Sequence, residues 1–464
     1  MKSAIFALME SIVHTVNDIV WNPGLVALLI VAGLYFSVRT RFVQVRRFGL
    51  MLRSLFSRRA GNNGISSFQA FCIALSGRVG TGNIVGVATA IAFGGPGAVF
   101  WMWVVAFFGA STAFVESTLA QKYKFRHSSG WRGGPFSFIE KGLGVKWLGV
   151  VFAVITVIAC GIFLTTVQAN GVSTAVNNAF PVSTLTAGIV LAVLLGLVIF
   201  GGVQRIARVA SVITPFMALG YIIMSLVVIG FHINEVPAVL GAIVKGAFGI
   251  NPIAGGIIGS TIAMGVKRGI FSNEAGQGTG AIVSAAADVP HAAQQGLAQA
   301  FSVYVDTLLV CTATALMILT SGTYNILDSA SGEVLYAGAP ELANNYVNYT
   351  QSAVDSVFAG FGSQFVSIAM VFFAFSTLMA YYFYAETGLI YLLHGKKWEK
   401  AVIRVFQGVM LCAVIFGAVK EADVVWQLGD IGVGLMAWVT VVSLLILCPQ
   451  AIKELKDYEG GRLS

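Results

Sequence analysis

The stretch that decides the fold is Ser76-Gly-Arg-Val-Gly-Thr-Gly-Asn83, in the middle of an otherwise apolar segment, residues 66–93. Glycine destabilises a helix by about 1 kcal/mol per site relative to alanine, so three glycines this close together favour local unwinding. Unwinding deep in an apolar segment leaves backbone N–H and C=O groups that hydrocarbon cannot satisfy. The stretch therefore predicts a broken helix whose free backbone groups line a cavity or bind a ligand.

A second stretch of the same character, Gly269-Ile-Phe-Ser-Asn-Glu-Ala-Gly-Gln-Gly-Thr-Gly280, interrupts the apolar segment 253–286. The alternative is a helix-packing seam, because Gly82 and Gly86 have the spacing of a GxxxG motif. A packing seam does not explain the charged and amide side chains at the same depth. We therefore interpret both segments as broken helices, an arrangement typical of the binding sites of secondary transporters.

The composition makes lipid the solvent of this chain. Hydrophobic residues make up 57% of the 464 residues and charged residues only 10%, whereas a soluble domain carries about 25% charged residues. The net charge of +8 comes from basic residues concentrated in short loops, which is a pattern of membrane orientation rather than of nucleic-acid binding. We expect the bilayer as a partner, no nucleic acid and no required protein partner.

Eleven apolar segments are long enough to cross a bilayer. They lie near residues 22–38, 66–93, 97–121, 147–168, 184–201, 208–231, 253–286, 293–320, 355–393, 401–418 and 425–448. The two broken helices each begin a set of five spans, residues 66–231 and 253–448. Because five is odd, the second set starts on the opposite side of the membrane and is inverted relative to the first. We expect an all-α transporter core over residues 63–450, preceded by a segment of residues 1–62 and followed by a tail of residues 451–464.

The basic residues predict the orientation. Of the 28 lysines and arginines, 22 fall in loops that would share one side of the membrane and in the tail. Basic loops face the cytoplasm, so we expect the N-terminus outside and the C-terminus inside a bacterial inner membrane. Residues 1–20 are amphipathic and are expected to lie along the membrane surface.

Charged residues also fall inside the predicted spans, and the deepest of them are expected to be Arg78, Glu116, Glu274 and Asp306. A charge at the bilayer centre costs about 2.5–3.5 kcal/mol or more, so each should face the bundle interior. We expect one of the three carboxylates to pair with Arg78. A second cluster is expected from Lys267, Arg268 and Glu274, and Glu386 and Asp430 are expected near the membrane surfaces.

Three motifs resemble those of the alanine/glycine:cation symporter family. The most specific is Gly94-Gly-Pro-Gly-Ala-Val-Phe-Trp-Met-Trp-Val-Val-Ala-Phe-Phe-Gly109, and residues 271–276 and 133–144 are also similar. The resemblance covers residue 60 to the C-terminus. It implies a LeuT-like fold, a 5+5 inverted repeat with discontinuous second and seventh helices and one extra N-terminal helix. It also implies sodium-coupled uptake of alanine or glycine, with sodium as the co-transported ion.

The resemblance also implies the substrate-binding residues Thr81, Gly82, Asn83, Gln168, Phe271, Ser272 and Asn273. Their chemistry agrees, because backbone N–H groups at the first break can donate to a carboxylate. The side-chain amide oxygens of Gln168 and Asn273 can accept from an ammonium group. Two alternatives stay open: Gln168 forms an interhelical hydrogen bond, and Phe271 is a gate or packing residue.

The resemblance also implies a sodium site beside the first break. Its candidate ligands are the carbonyls of Ser76, Val79 and Phe373 and the hydroxyls of Ser376 and Thr377. The alternative for the two hydroxyls is hydrogen bonding back to the preceding turn of their own helix.

The expected mechanism is alternating access, in which the first helix set rocks against the other helices. A membrane-embedded enzyme is the less favoured alternative, because the five histidines fall in loops or at span ends, so we expect no catalytic residues. A channel would use rings of carbonyls or charges from repeated subunits instead of two unlike broken helices. Coupling to protons, relayed by Glu274 or Asp306, is a further alternative.

Overall fold

The computed structural model describes residues 2–57, 61, 64–250, 258–328, 331–342 and 345–463. The chain is almost entirely helical. Four short strands form two antiparallel hairpins, in which β1 (Phe125–His127) pairs with β2 (Gly130–Arg132) and β3 (Asn325–Leu327) pairs with β4 (Val334–Ala337). Both hairpins lie in connections between helices, so in the described part of the chain the core is built almost entirely from helices.

Thirteen helices precede residue 251 in the described part of the chain. They are α1 (Lys2–Val20), α2 (Pro23–Arg39), α3 (Val43–Arg46), α4 (Phe48–Leu55), α5 (Ser67–Arg78), α6 (Val85–Gly94), α7 (Gly97–Lys122), α8 (Pro135–Leu143), α9 (Lys146–Ile158), α10 (Leu164–Ala179), α11 (Thr184–Ile199), α12 (Gly202–Phe231) and α13 (Val236–Ala247). Short 3-10 helices span Thr81–Asn83 and Ile233–Glu235.

Eight helices follow among the described residues from 258 onwards. They are α14 (Ile258–Asn273), α15 (Thr279–Ala286), α16 (Ala292–Val303), α17 (Thr312–Ser321), α18 (Tyr346–Asp355), α19 (Gly362–Leu393), α20 (Glu399–Val419) and α21 (Ala422–Leu463). A further 3-10 helix spans Pro340–Leu342. The predicted span 253–286 begins partly outside the described residues, because nothing is described between residues 250 and 258.

Two long helices contain a π-helical segment. Ala159–Phe163 joins α9 to α10, and Tyr304–Cys311 joins α16 to α17. A π segment is wider than an α-helix and often occurs at functional sites. The second segment carries Asp306, one of the predicted intramembrane charges.

The protein crosses the membrane several times. Within the described residues, eight helices are long and apolar enough to span a bilayer, or nine when the bent pair α5 and α6 counts as one span. At 16 residues, α11 is shorter than the others, and α14 and α15 are separated by the second break. The count of eleven spans therefore stays a prediction.

Two predicted boundaries differ from the structure. The ninth predicted span begins at residue 355, but α19 begins at Gly362, because residues 346–355 form the separate helix α18. The Asp355 carboxylate accepts from the Gly362 N–H at 2.7 Å and so joins the two helix ends. The last helix runs unbroken from Ala422 to Leu463, past the predicted end of its span at residue 448.

The two broken helices lie against α7, which packs along α14, α15 and α16. Small residues permit this close approach: a Cβ at Gly265 would lie 2.5 Å from the Ala98 carbonyl oxygen, and one at Gly109 would lie 2.9 Å from the Ala275 Cβ. Helices in lipid associate through such close contacts between small residues. The glycines of α7 and α14 therefore bring the second break into the middle of the bundle.

Candidate substrate and cation sites

The first helix breaks where its glycines predict. The helix α5 ends at Arg78, Gly80 is extended (φ −144°, ψ −149°), and α6 begins only at Val85. The two halves are bent by 56° relative to each other. The Asn83 side chain holds the turn, because its Oδ1 accepts from the Gly80 N–H at 2.8 Å.

The second helix is also interrupted. After α14 ends at Asn273, three residues adopt left-handed backbone: Glu274 (φ +55°), Gly276 (φ +83°) and Gly278 (φ +91°). Glycine adopts this conformation without steric cost, whereas a residue with a Cβ is strained by about 1–2 kcal/mol. The Asn273 Oδ1 accepts from the Ala275 N–H at 3.0 Å and stabilises the turn.

The two breaks contact each other. A Cβ at Gly82 would lie 3.2 Å from Phe271 Cδ1 and 3.4 Å from the Ser272 Cα. The Asp306 carboxylate links them, because it accepts from Asn83 Nδ2 at 2.7 Å and from Ser272 Oγ at 2.9 Å. It also accepts from Thr307 Oγ1 at 2.7 Å. The structure thus joins the predicted residues Gly82, Asn83 and Ser272 around one buried carboxylate.

Gln168 reaches the first break from α10. Its Oε1 accepts from the Thr81 backbone N–H at 3.0 Å, and its side chain is buried. The interhelical hydrogen bond that was the alternative for Gln168 is therefore present. This bond joins the Thr81 N–H, which was predicted to bind the substrate carboxylate, to the Gln168 amide oxygen, which was predicted to bind the ammonium group.

Phe271 and Trp426 form an aromatic layer beside the second break. The Phe271 ring lies 5.1 Å from the Trp426 ring between centroids, and the Arg268 guanidinium lies 5.5 Å from the Phe271 ring. An open cavity of about 520 Å³ adjoins this layer, lined in part by Val85, Gly171, Arg268 and Trp426. This position agrees with a gate or packing residue.

Four of the five predicted sodium ligands converge. The Thr377 Oγ1 lies 2.7 Å from the Ser76 carbonyl oxygen, 2.9 Å from that of Phe373 and 3.2 Å from that of Val79. One hydroxyl proton cannot satisfy three carbonyls, so the cluster has more acceptors than donors. Such clusters of unwound backbone carbonyls suit a sodium ion. Both hydroxyls also bond back to the Phe373 carbonyl of their own helix, as the alternative predicted, Ser376 Oγ at 2.8 Å and Thr377 Oγ1 at 2.9 Å. Thr377 differs in that it also reaches the two carbonyls of the first break.

Arg78 has no carboxylate partner within 4.0 Å among the described residues, contrary to the expected pairing with Glu116, Glu274 or Asp306. Its Nε donates to the Asn273 carbonyl at 2.6 Å, and its Nη1 donates to Gln299 Oε1 at 3.0 Å and to Ser302 Oγ. The end of α14 at Asn273 frees that carbonyl, and α16 supplies neutral acceptors.

The second predicted cluster also has a different partner. Lys267 and Arg268 pair with Asp430 Oδ2 at 2.8 and 2.6 Å instead of with Glu274. Asp430 is only 2% exposed within the bundle, and its expected position near a membrane surface stays a prediction. Because it lies two turns into α21, it faces α14 inside the bundle.

A polar stripe along the eighth predicted span was not recognised from the sequence. Its members are Gln295, Gln299, Ser302 and Asp306, spaced four, three and four residues apart. This spacing places them on one helical face, and all four are buried. They bond to the first broken helix at Ser67, Arg78 and Asn83. The spacing was the signal that could have revealed Gln299 and Ser302.

These features define a multi-pass membrane transporter with two broken helices that meet inside a helical bundle. The fold is that of the LeuT-like transporter MhsT. The crystal structure of MhsT in complex with L-phenylalanine covers 84% of this chain and 98% of its own, with a TM-score of 0.57 and 15% sequence identity. At this identity the likeness concerns the fold alone.

The chain belongs to the sodium:alanine symporter family, whose model matches residues 6–463. A sodium/proton-dependent alanine carrier protein of Bacillus sp. (strain PS3) is 46% identical over 88% of this chain and 91% of its own length. A probable sodium/glutamine symporter of Bacillus subtilis (strain 168), GlnT, is 42% identical over 97% of this chain and 91% of its own length. The family is one of transporters and not of enzymes, as the sequence predicted.

Proposed function

We propose that this protein carries alanine, glycine or both into the cell together with sodium, by alternating access. The proposal is best supported by two neighbouring groups of the first break, one suited to a cation and the other to a carboxylate. The Val79 carbonyl faces the Thr377 oxygen cluster, and two residues further on the Thr81 N–H faces Gln168. A carboxylate and a cation can therefore bind to the same few residues of unwound backbone, which would couple their binding.

The substrate site is proposed where Thr81 and Gln168 now bond to each other. A bound amino acid would replace that bond, with its carboxylate on the N–H groups of Thr81, Gly82 and Asn83. Its ammonium group would take the Gln168 Oε1. Ser272, Asn273 and Phe271 of the second break would complete the wall, since Gly82 already touches Phe271.

The sodium site is proposed at the Thr377 cluster, with Ser76, Val79 and Phe373 as carbonyl ligands. Ser376 would join after its hydroxyl turns away from the Phe373 carbonyl. One sodium ion crossing a potential of ~100 mV supplies ~2.3 kcal/mol, and a tenfold sodium gradient adds ~1.4 kcal/mol. Together they could sustain an accumulation of about several hundred-fold.

The proposed architecture has eleven spans, as one extra helix followed by two inverted sets of five. The basic loops place the N-terminus outside and the C-terminus in the cytoplasm. The aromatic layer of Phe271 and Trp426 and the adjoining cavity would then face the outside, because the loop that begins α21 is among the sparsely basic ones. The first set, which carries the Gly80 break, would rock to expose the site to each side in turn.

The decisive experiment is uptake of radiolabelled alanine by proteoliposomes under sodium, lithium and proton gradients. We expect an inward sodium gradient to drive saturable accumulation, and Asn83→Ala to abolish it, because Asn83 holds both the Gly80 turn and Asp306. Uptake that ignores sodium and proton gradients alike would contradict the proposal. Uptake that follows only the proton gradient would show that the proton, and not sodium, is the coupling ion. Uptake that does not saturate would indicate a channel.

Small substrates are expected to be preferred. A Cβ at Gly171 would lie 2.6 Å from the Thr81 Cγ2 and 3.1 Å from the Met370 Cε, so this wall has no room to spare. Unlabelled glycine or alanine should therefore compete with labelled alanine at least about tenfold better than glutamine does, a difference of about 1.4 kcal/mol. Equal competition by glutamine would show that the pocket opens further than its walls suggest.

A further inference from the structure

The bundle encloses more negative than positive charge around the two breaks. Arg78 is 1% exposed, and Glu116, Glu274 and Asp306 are fully buried. No two of these side chains form an ion pair within 4.0 Å in the described part of the chain. An unpaired buried ion costs several kcal/mol. Lys267 and Arg268 are held by Asp430 and the aromatic rings of Phe271 and Trp426, so Arg78 is the cation that remains among the described residues for the three carboxylates. Even with one sodium ion bound nearby, three ionised carboxylates would leave one negative charge uncompensated, so one of them should carry a proton.

The hydrogen bonds distinguish the three carboxyl groups. Asp306 accepts from Asn83, Ser272 and Thr307, and donors of this kind favour the ionised form. Glu274 accepts from Thr279 Oγ1 at 2.9 Å and from the Tyr384 hydroxyl at 3.4 Å.

Neither oxygen of Glu116 has a hydrogen-bond partner of acceptable geometry among the described residues. Among the three carboxyl groups, Glu116 is therefore the one to which no described side chain donates a hydrogen bond.

Glu116 faces the second break from α7. The charged groups that act on it are Arg78, from α5, and Glu274, from the loop between α14 and α15. The backbone N–H groups of Gly276 and Gly278 also face it and favour its charged form, but their geometry falls short of a full hydrogen bond.

Gly280 occupies the space between Glu116 and Arg78. A Cβ there would lie 2.6 Å from Arg78 Nη2 and 3.3 Å from Glu116 Oε1. Arg78 Nη2 is itself without a hydrogen-bond partner within the described residues. An unused donor and an unused acceptor thus lie on either side of a residue that has no side chain to separate them.

We propose that Glu116 is a proton-binding site of this carrier, protonated in the conformation described and deprotonated when Arg78 pairs with it. In that step the O–H bond of the carboxyl group breaks, the proton passes to water, and the carboxylate takes the Arg78 Nη2 as its partner. Arg78 would turn away from Gln299 and Ser302, so the step would loosen the first break from α16. The proposal rests on the proposed transport function and adds a site at which pH would control the rate of uptake.

The test is the pH profile of sodium-driven alanine uptake, with the same pH on both sides of the membrane from about pH 6 to about pH 9. Wild-type uptake should fall by about tenfold towards alkaline pH, since the conformation described here requires the proton. Glu116→Gln mimics the protonated group, so its uptake should persist and its profile should be flat. Glu386→Gln is the matched control: it removes a carboxylate that lies near Arg132 and Tyr382, and it should keep the wild-type profile.

Three results would overturn the proposal: a flat wild-type profile, a wild-type profile in Glu116→Gln, or a folded but inactive Glu116→Gln. Should that variant not fold, infrared spectroscopy of the wild type decides. A C=O band of a buried protonated carboxyl group should be present at about pH 6 and lost at about pH 9, and its absence at both would also refute the assignment. A wild type without any gradient-driven uptake would instead refute the proposed function, a separate outcome.

Discussion

Replacing Asp306 by alanine is expected to reduce sodium-driven alanine uptake by about 100-fold or more. The substitution removes the acceptor of Asn83 in the first break and of Ser272 in the second. A buried donor left without a partner costs about 1–3 kcal/mol, and two of them suffice for a 100-fold effect if both breaks must hold their geometry. The measurement is the initial rate of radiolabelled alanine uptake in proteoliposomes.

Two further variants separate this effect from a general loss of stability. Asp355→Ala removes a carboxylate that bonds a helix end away from the breaks, at the Gly362 N–H, and should leave uptake within about twofold of the wild type. Asp306→Asn keeps part of the acceptor set and should give an intermediate rate. If Asp306→Ala elutes as a folded protein and transports at the wild-type rate, the two breaks do not depend on this carboxylate.

Replacing Thr377 by valine is expected to raise the sodium concentration for half-maximal uptake by about tenfold to 100-fold. Valine has nearly the same shape but lacks the oxygen on which three carbonyls converge. An interaction with a charged partner is worth about 1.5–3 kcal/mol, which corresponds to that range. The alanine concentration for half-maximal uptake, measured at saturating sodium, should change much less. Thr377→Ser retains the oxygen and should behave almost as the wild type does.

The matched control is Thr387→Val on the same helix. Thr387 is also fully buried, but its hydroxyl bonds only to the Phe383 carbonyl one turn earlier, at 2.8 Å. Its removal should leave the sodium dependence unchanged. If both valine variants shift the sodium dependence equally, Thr377 acts through helix packing and not as an ion ligand.

The breaks were the part of the site that the sequence predicted best. Glycines and amides in the middle of an apolar segment have few structural explanations, because lipid cannot hydrogen-bond to the backbone groups that an unwound helix exposes. The interruptions after Arg78 and after Asn273 fall within the quoted stretches. Gln168 and Thr377 were found through their residue types combined with the family resemblance, and the structure places each against the first break.

The partners of the charged residues could not be predicted in the same way. Sequence order does not specify which helices become neighbours, and charge alone suggested Glu116, Glu274 or Asp306 for Arg78. The structure instead uses a carbonyl freed by the second break and two neutral side chains of α16. The pairing of Asp430 with Lys267 and Arg268 was missed for a related reason, since it depends on how α21 packs against α14.

Because of the π-helical segment Tyr304–Cys311, the number of residues in this span, and not only their types, determines which side chains face the breaks. Successive residues of a helix are rotated by about 100°. Deleting a single residue between Asp306 and Thr312 would therefore swing everything that follows, including the threonine whose hydroxyl accepts from the Trp103 indole at 2.8 Å, onto a different face. Homologous chains that keep these contacts should tolerate insertions and deletions in the surface hairpins, while the number of residues between the polar stripe and Thr312 stays fixed.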